Sequence, residues 1–226
     1  MLVIHISNES FNSVPAFPLA GVHLFPHMVL PLNIFEPRYI DMVDYALEHD
    51  HLLSIATPVD PTELEDELID AEAPPPTLRP ILGAGVIVAK EEVAPKRYQI
   101  FVRGVTRIRM REELDQMYTF RQVEAEIIQD EEVDADTLAR RETDLRNMLV
   151  SYATAYEKHA EEVKMILKHS PNAEVLTNLL GARVRCPAQD KRALFEELNP
   201  LQRIIKLERH FSRLLLKRDT YDAEVH

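Results

Sequence analysis

Phe120-Arg121-Gln122-Val123-Glu124-Ala125-Glu126-Ile127 alternates apolar and polar residues, and shortly after it the alternation stops. Beyond Asp130, apolar residues return at helical intervals: Leu138, Leu145, Leu149, Tyr152, Tyr156, Val163 and Ile166. The first pattern gives a strand one inward face, and the second gives a helix one apolar stripe. A chain that is strand-rich at first, and whose pattern beyond Asp130 becomes helical and stays so, points to α+β. The expected organisation is a strand-rich part over residues 1–130 and an all-helical part over 131–226.

Reading upstream, Val105-Thr106-Arg107-Ile108-Arg109-Met110 alternates in the same way. Tyr98-Gln99-Ile100-Phe101-Val102 is a separate strand signal closing at Gly104, and Val86-Ile87-Val88 and Leu52-Leu53-Ser54-Ile55-Ala56 are two more. Prolines 15, 18, 26 and 31 forbid a continuous helix near the start. The apolar runs between them, Val22–Phe25 and Met28–Leu30, predict short strands. Several strands with tight connections suggest an antiparallel sheet or small barrel. Tyr39, Met42, Val43, Ala46 and Leu47 predict one helix from about Pro37 to Glu48, with proline in its first turn.

Reading downstream, Asp134 or Asp136 can cap a long helix running to about His169. Ser170-Pro171-Asn172 stops it, and a second helix over Ala173–Leu180 is expected to end at Gly181. Pro187 opens a third. Asn199-Pro200-Leu201-Gln202 supplies an N-cap, a proline at the first helical position and a glutamine at the third for a fourth.

The 226 residues carry a formal charge of −12, 15 prolines, 5 glycines and one cysteine. Eleven acids against the single base Arg79 fall in residues 41–80, around an acidic, proline-bounded insert at 57–80 in which Thr62-Glu63-Leu64-Glu65 fits a capping box. The overall charge disfavours nucleic acid as the default partner. A lone Cys186 forms no internal disulfide and suits a reducing, cytoplasmic setting. No segment has the length and apolarity of a membrane span or a secretory signal.

Motifs for chemistry are few. There is no G-x-x-x-x-G-K-[ST] and no G-x-S-x-G. Gly83-Ala84-Gly85 begins like a dinucleotide fingerprint, but strand-forming Val86-Ile87-Val88 follows where a helix should open. Cys186 beside Pro187 reads as a structural thiol at a helix start. His23/His27 and His49/His51 are pairs without a nearby cysteine, so no metal site or cofactor is expected. Arg107, Arg109 and Arg111 share a strand face and, with Lys96, Arg97 and Arg103, make residues 96–111 basic. That face is either solvated, balanced by Glu124 and Glu126 on the next strand, or an anion surface.

Several blocks together carry a family resemblance. Ala16-Phe17-Pro18-Leu19, Leu24-Phe25-Pro26-His27-Met28-Val29-Leu30-Pro31-Leu32 and Ile34-Phe35-Glu36-Pro37-Arg38-Tyr39 resemble the N-terminal domain of Lon proteases, and most closely the stand-alone Lon-domain proteins. Leu82-Gly83-Ala84-Gly85-Val86-Ile87, Phe101-Val102-Arg103-Gly104-Val105-Thr106-Arg107-Ile108 and the stretch from Asp190 to Ile204 agree with it in order and spacing. The resemblance spans residues 15–215. It implies a β-rich, PUA-like subdomain followed by a helical bundle. It also implies a non-enzymatic role, because the family's ATPase and Ser-Lys peptidase modules have no counterpart in this sequence. The departures are residues 1–13 and the acidic insert.

In Lon this domain resembles a substrate-recognition module for exposed apolar segments of other proteins. The expectation is therefore a polypeptide-binding module, adaptor or chaperone-like, with Leu24, Phe25, Phe35, Glu36, Pro37, Arg38 and Tyr39 as candidate partner-binding residues. The competing reading makes Phe35 and Tyr39 anchors of the first helix. The PUA-like resemblance also offers an alternative RNA-binding surface at Arg97, Arg103, Arg107 and Arg109.

Overall fold

The computed structural model describes residues 6–59, 77–115 and 117–224, with side chains described to residue 216. The chain divides into two compact units, Met1–Ile128 and Gln129–His226. The first contains β1 (Val14–Pro18), β2 (Val29–Ile34), α1 (Pro37–Glu48), β3 (Leu52–Ala56), β4 (Ile81–Ala94), β5 (Arg97–Glu113) and β6 (Arg121–Ile128). The second contains α2 (Ala135–Ala155), α3 (Ala160–Lys168), α4 (Ala173–Arg183), α5 (Ala188–Phe195) and α6 (Pro200–Glu224). The α+β order read from the periodicity is the observed one.

The strand order is β2-β5-β4-β3-β1-β6, and β6 pairs back onto β5. Five strands thus close a ring, with β2 added along the outer half of β5. All pairings are antiparallel except β1 with β3. Closure follows from the length of β5: its first half pairs with β2 (Tyr98 to Arg103) and its second half with β6 (Arg107 to Glu113), while β4 runs beside both. The two strands read separately on either side of Gly104 are therefore one.

Alternation along the strands feeds two apolar cores. Val14, Ala16, Leu52, Ala56, Val86, Ile108 and Val123 pack together on one side of the sheet. Phe17, Leu53, Ile55, Ile87, Ile100 and Val102 point the other way, onto Tyr39, Met42, Val43 and Ala46 of α1. Every residue of β3 is buried because it serves both cores.

Residues Val22–Phe25 do not form a strand. They cross the sheet against three glycines, in close backbone contact with two of them, Gly83 and Gly104. A Cβ at Gly83 would lie 2.2 Å from Leu24 O, one at Gly104 2.1 Å from Phe25 O, and one at Gly85 2.7 Å from Leu24 Cδ2. Glycine is required at 83 and 104 for this approach, and the crossing seats Leu24 and Phe25 in the interior.

In the helical unit, the long helix read from 134 to 169 is broken. Tyr156 leaves helical geometry (φ −126°, ψ 76°), and its hydroxyl donates to Leu214 O at 2.7 Å. A 3-10 turn at Glu157–His159 leads into α3. Asp134 accepts from Thr137 N at 2.8 Å, and Asn172 from Val175 N at 3.0 Å, as N-caps. Asn199 accepts from Leu201 N and Gln202 N, the cap expected for α6. Gly181 is not the terminus of α4. The helix continues to Arg183, and its last carbonyls are held by Lys191, whose ammonium donates to Gly181 O, Ala182 O and Val184 O at 2.8, 3.1 and 2.5 Å. The capping box at Thr62–Glu65 and most of the acidic insert lie outside the described residues.

Candidate functional site

The junction of β2 and α1 is built by Pro37, which takes the first helical position, and by the extended Glu36 before it. Arg38 donates to Glu36 Oε2 from Nε and a terminal nitrogen, at 3.0 and 2.8 Å. Its guanidinium also lies 4.6 Å from the centre of the Tyr39 ring. Tyr39 is buried and packs on Phe17, with ring centres 4.3 Å apart. Burial, outweighing Arg38 beside it, pushes the Tyr39 phenol above its usual range, so the hydroxyl stays neutral at physiological pH.

Arg38 and Tyr39 form one wall of a cavity of about 110 Å3, which Pro18, Leu114, Thr119 and Phe120 complete. The Arg121–Glu113 ion pair lies along its rim. The loop between β5 and β6 sits against α1: Thr119 donates to Asp41 Oδ2 at 2.7 Å, and Tyr118 and Phe120 pack on Tyr45 at 4.9 and 5.4 Å. This fixes the cavity's far wall while leaving Met117 86% and Tyr118 44% exposed.

The other residues singled out from sequence divide sharply. Phe35 is 57% exposed, and Glu36, Pro37 and Arg38 are at the surface with it. Leu24 and Phe25 are 0% and 1% exposed, so they support the sheet and offer nothing to a partner. The anchoring reading divides between the two: Tyr39 packs into the core beneath α1, and Phe35 lies at the surface. The loop residues Met117, Thr119 and Phe120 were not singled out. Their only signal was an aromatic pair, Tyr118 and Phe120, next to an exposed methionine.

The arginines do not make one stripe. Arg107 is 3% exposed, its guanidinium 5.9 Å from the Phe25 ring. Arg111 is paired with Glu124 and Glu126 at 3.3 and 3.0 Å, the balance anticipated for a solvated face. Arg97, Arg103 and Arg109 are exposed, and Arg97 lies 5.8 Å from the Phe35 ring.

The histidine pairs and the thiol have local roles. His23 Nδ1 is 3.1 Å from Thr57 Oγ1 beside the buried crossing. His49 Nδ1 is 2.7 Å from Tyr45 O, and His27 and His51 occupy turns with positive φ. Among the described residues, no three His, Cys, Asp or Glu side chains converge as a metal site. Burial pushes the Cys186 thiol up, which works against a reactive thiolate. No helix among the described residues is long and apolar enough to cross a membrane.

Comparison with known proteins agrees with this architecture. A family model described as the ATP-dependent protease La (LON) substrate-binding domain matches residues 13–213. A Lon protease of Geobacter metallireducens is 24% identical over 204 residues, covering 88% of this chain and 24% of the relative. One from Syntrophus aciditrophicus is 25% identical over 196 residues, covering 84% and 24%. The chain thus spans about a quarter of the length of these curated relatives. Among solved structures, the N-terminal domain of Mycobacterium avium complex Lon protease superposes with a TM-score of 0.69 at 17% identity, covering 88% of this chain and 98% of that one. A Lon N-terminal domain protein from Xanthomonas campestris gives 0.57 at 18% identity, covering 86% and 96%.

Proposed function

Because this chain belongs to the Lon substrate-binding domain family, we propose that it is a non-catalytic binding module for exposed apolar polypeptide segments, acting as an adaptor or chaperone-like protein. The observation that carries the reading is the cavity between α1 and the β5–β6 loop. Its volume of about 110 Å3 is somewhat smaller than the roughly 150 Å3 cavity that admits benzene, and suits one aliphatic side chain. Pro18, Tyr39, Leu114 and Phe120 supply apolar walls, and Arg38, Thr119 and the neutral Tyr39 phenol supply polar groups at the edge. Met117 and Tyr118, in the loop that supplies Thr119 and Phe120, add exposed apolar surface. Within the 226 residues there is no phosphate-binding loop or nucleophile elbow, so capture rather than cleavage is the activity assigned to them.

Fluorescence anisotropy of a labelled, permanently unfolded polypeptide tests the site. Arg38→Ala and Met117→Ser, both at exposed positions, are each expected to weaken binding about three- to tenfold without lowering stability. Unchanged affinity in both variants removes the cavity from the account. Tyr39→Phe is the appropriate change at 39, since truncation there would open the core behind α1.

A further inference from the structure

Among the described residues, strand β2 is hydrogen-bonded along one side only. The Gly104 N–H donates to Met28 O at 2.8 Å, and Val29 lies opposite Arg103. This phases the strand: Leu30, Leu32 and Ile34 turn their backbone polar groups to β5, whereas Val29, Pro31 and Asn33 turn theirs outward. Among the described residues, none hydrogen-bonds to those outward groups. The edge therefore offers two N–H donors, on Val29 and Asn33, and three carbonyl acceptors.

The side chains beside this edge have a consistent chemistry. Leu30, Leu32 and Ile34 pack inward with α1. On the opposite face Val29, Pro31, Asn33 and Phe35 are exposed, and no residue from 28 to 35 is charged. Across β5, Arg97 and Arg103 flank this face at its two ends. Both are exposed, and neither forms an ion pair among the described residues. In a chain of net charge −12, two exposed arginines with no carboxylate partner among the described residues, bracketing an apolar strand edge, are complementary to an acidic occupant.

We propose that the free edge of β2 takes an extended acidic polypeptide segment as an added strand, with Arg97 and Arg103 receiving its carboxylates. The proposal rests on the reading that this chain binds polypeptide, and adds the conformation and charge of the segment bound. An added strand would lie about 4.8 Å beyond β2, so its side chains on the exposed face meet Val29 and Phe35 while its acids meet the long arginine side chains. Backbone pairing supplies affinity, and the arginines select charge. Pro31, which has no N–H, interrupts the edge at its centre and opposes indefinite ribbon growth between copies. A nucleic acid could use the same arginines and Phe35, but it has no strand-forming backbone to engage Val29 and Asn33.

The test is amide hydrogen exchange by NMR on the full chain with a blocked peptide alternating valine and glutamate. Binding is expected to slow exchange at Val29 and Asn33 by about tenfold or more. N-methylation of the alternate set of peptide amides that faces β2, but not of the set that faces away, is expected to weaken binding about tenfold, as is the double variant Arg97→Glu and Arg103→Glu. A thermal melt matching that of the unaltered protein certifies the variant's fold. If an unfolded polypeptide binds while both amides stay unprotected by the peptide, this proposal is overturned and the wider reading stands. If no polypeptide binds at all, both fall. Binding of an oligouridylate that is lost on reversing the two arginines, with no peptide binding, assigns the face to nucleic acid and overturns the proposal.

Discussion

Gly104 shows how much one residue can decide. Read from sequence it looks like the end of a strand, because glycine commonly punctuates one. In the fold it lies inside the longest strand, and its missing side chain makes room for the Phe25 carbonyl. Nothing local marks that role, since the partner lies far away in the sequence. Gly104→Ala is expected to cost about 3 kcal/mol or more in chemical denaturation. Gly21→Ala, at φ +70° with no atom within 4 Å of a Cβ, should cost only about 1–2 kcal/mol from backbone strain. A titratable residue gives a second prediction. Burial, with Lys191 and Arg213 nearby and Asp190 opposing, holds the His210 imidazole below its usual range. The unfolded chain then binds the proton more readily, so stability declines as pH falls through the ordinary imidazole range toward the depressed folded value. His210→Gln should flatten that portion of the stability–pH curve.

Elements were legible where local pattern and tertiary role coincide. The α1 boundaries, the alternation of β6 and the Asn199 cap all follow from spacing and a few capping residues. The break between α2 and α3 was hidden because no glycine or proline marks it. Tyr156 is drawn out by a hydrogen bond to Leu214, a contact between segments far apart in the chain. The end of α4 was misplaced for a like reason, since a lysine ten residues beyond Gly181 supplies the cap. A buried tie between elements is made by Arg203, which is 1% exposed. It pairs with both oxygens of Asp130 and donates to Glu197 O at 3.1 Å and Thr177 Oγ1 at 3.2 Å. It pins the segment entering the helical unit to the α5–α6 turn, where Glu131 N also donates to Leu198 O. Arg203→Met should lower stability by about 3–5 kcal/mol in denaturant titrations, because it removes the buried ion pair to Asp130 together with the hydrogen bonds to Glu197 O and Thr177 Oγ1. Asn199→Ala should cost only about 1 kcal/mol.

For the whole molecule, the division into residues 1–128 and 129–226 makes a separate prediction. If each unit is a domain, residues 129–226 expressed alone should unfold cooperatively, with helical circular dichroism and a sigmoidal melt. A featureless melt would argue against it. The site was only partly legible at this scale. Resemblance and residue type pointed to the β2–α1 junction. The second wall of the cavity comes from a loop some eighty residues later, and the burial of Leu24 and Phe25 depends on glycines in other strands. If the chain captures non-native polypeptide as proposed, isothermal titration with one polypeptide in two forms, permanently unfolded and natively folded, should separate them. Saturable binding of the unfolded form with a negative heat-capacity change is expected, and none of the folded form. Equal binding of both forms, or of neither, would contradict the proposal.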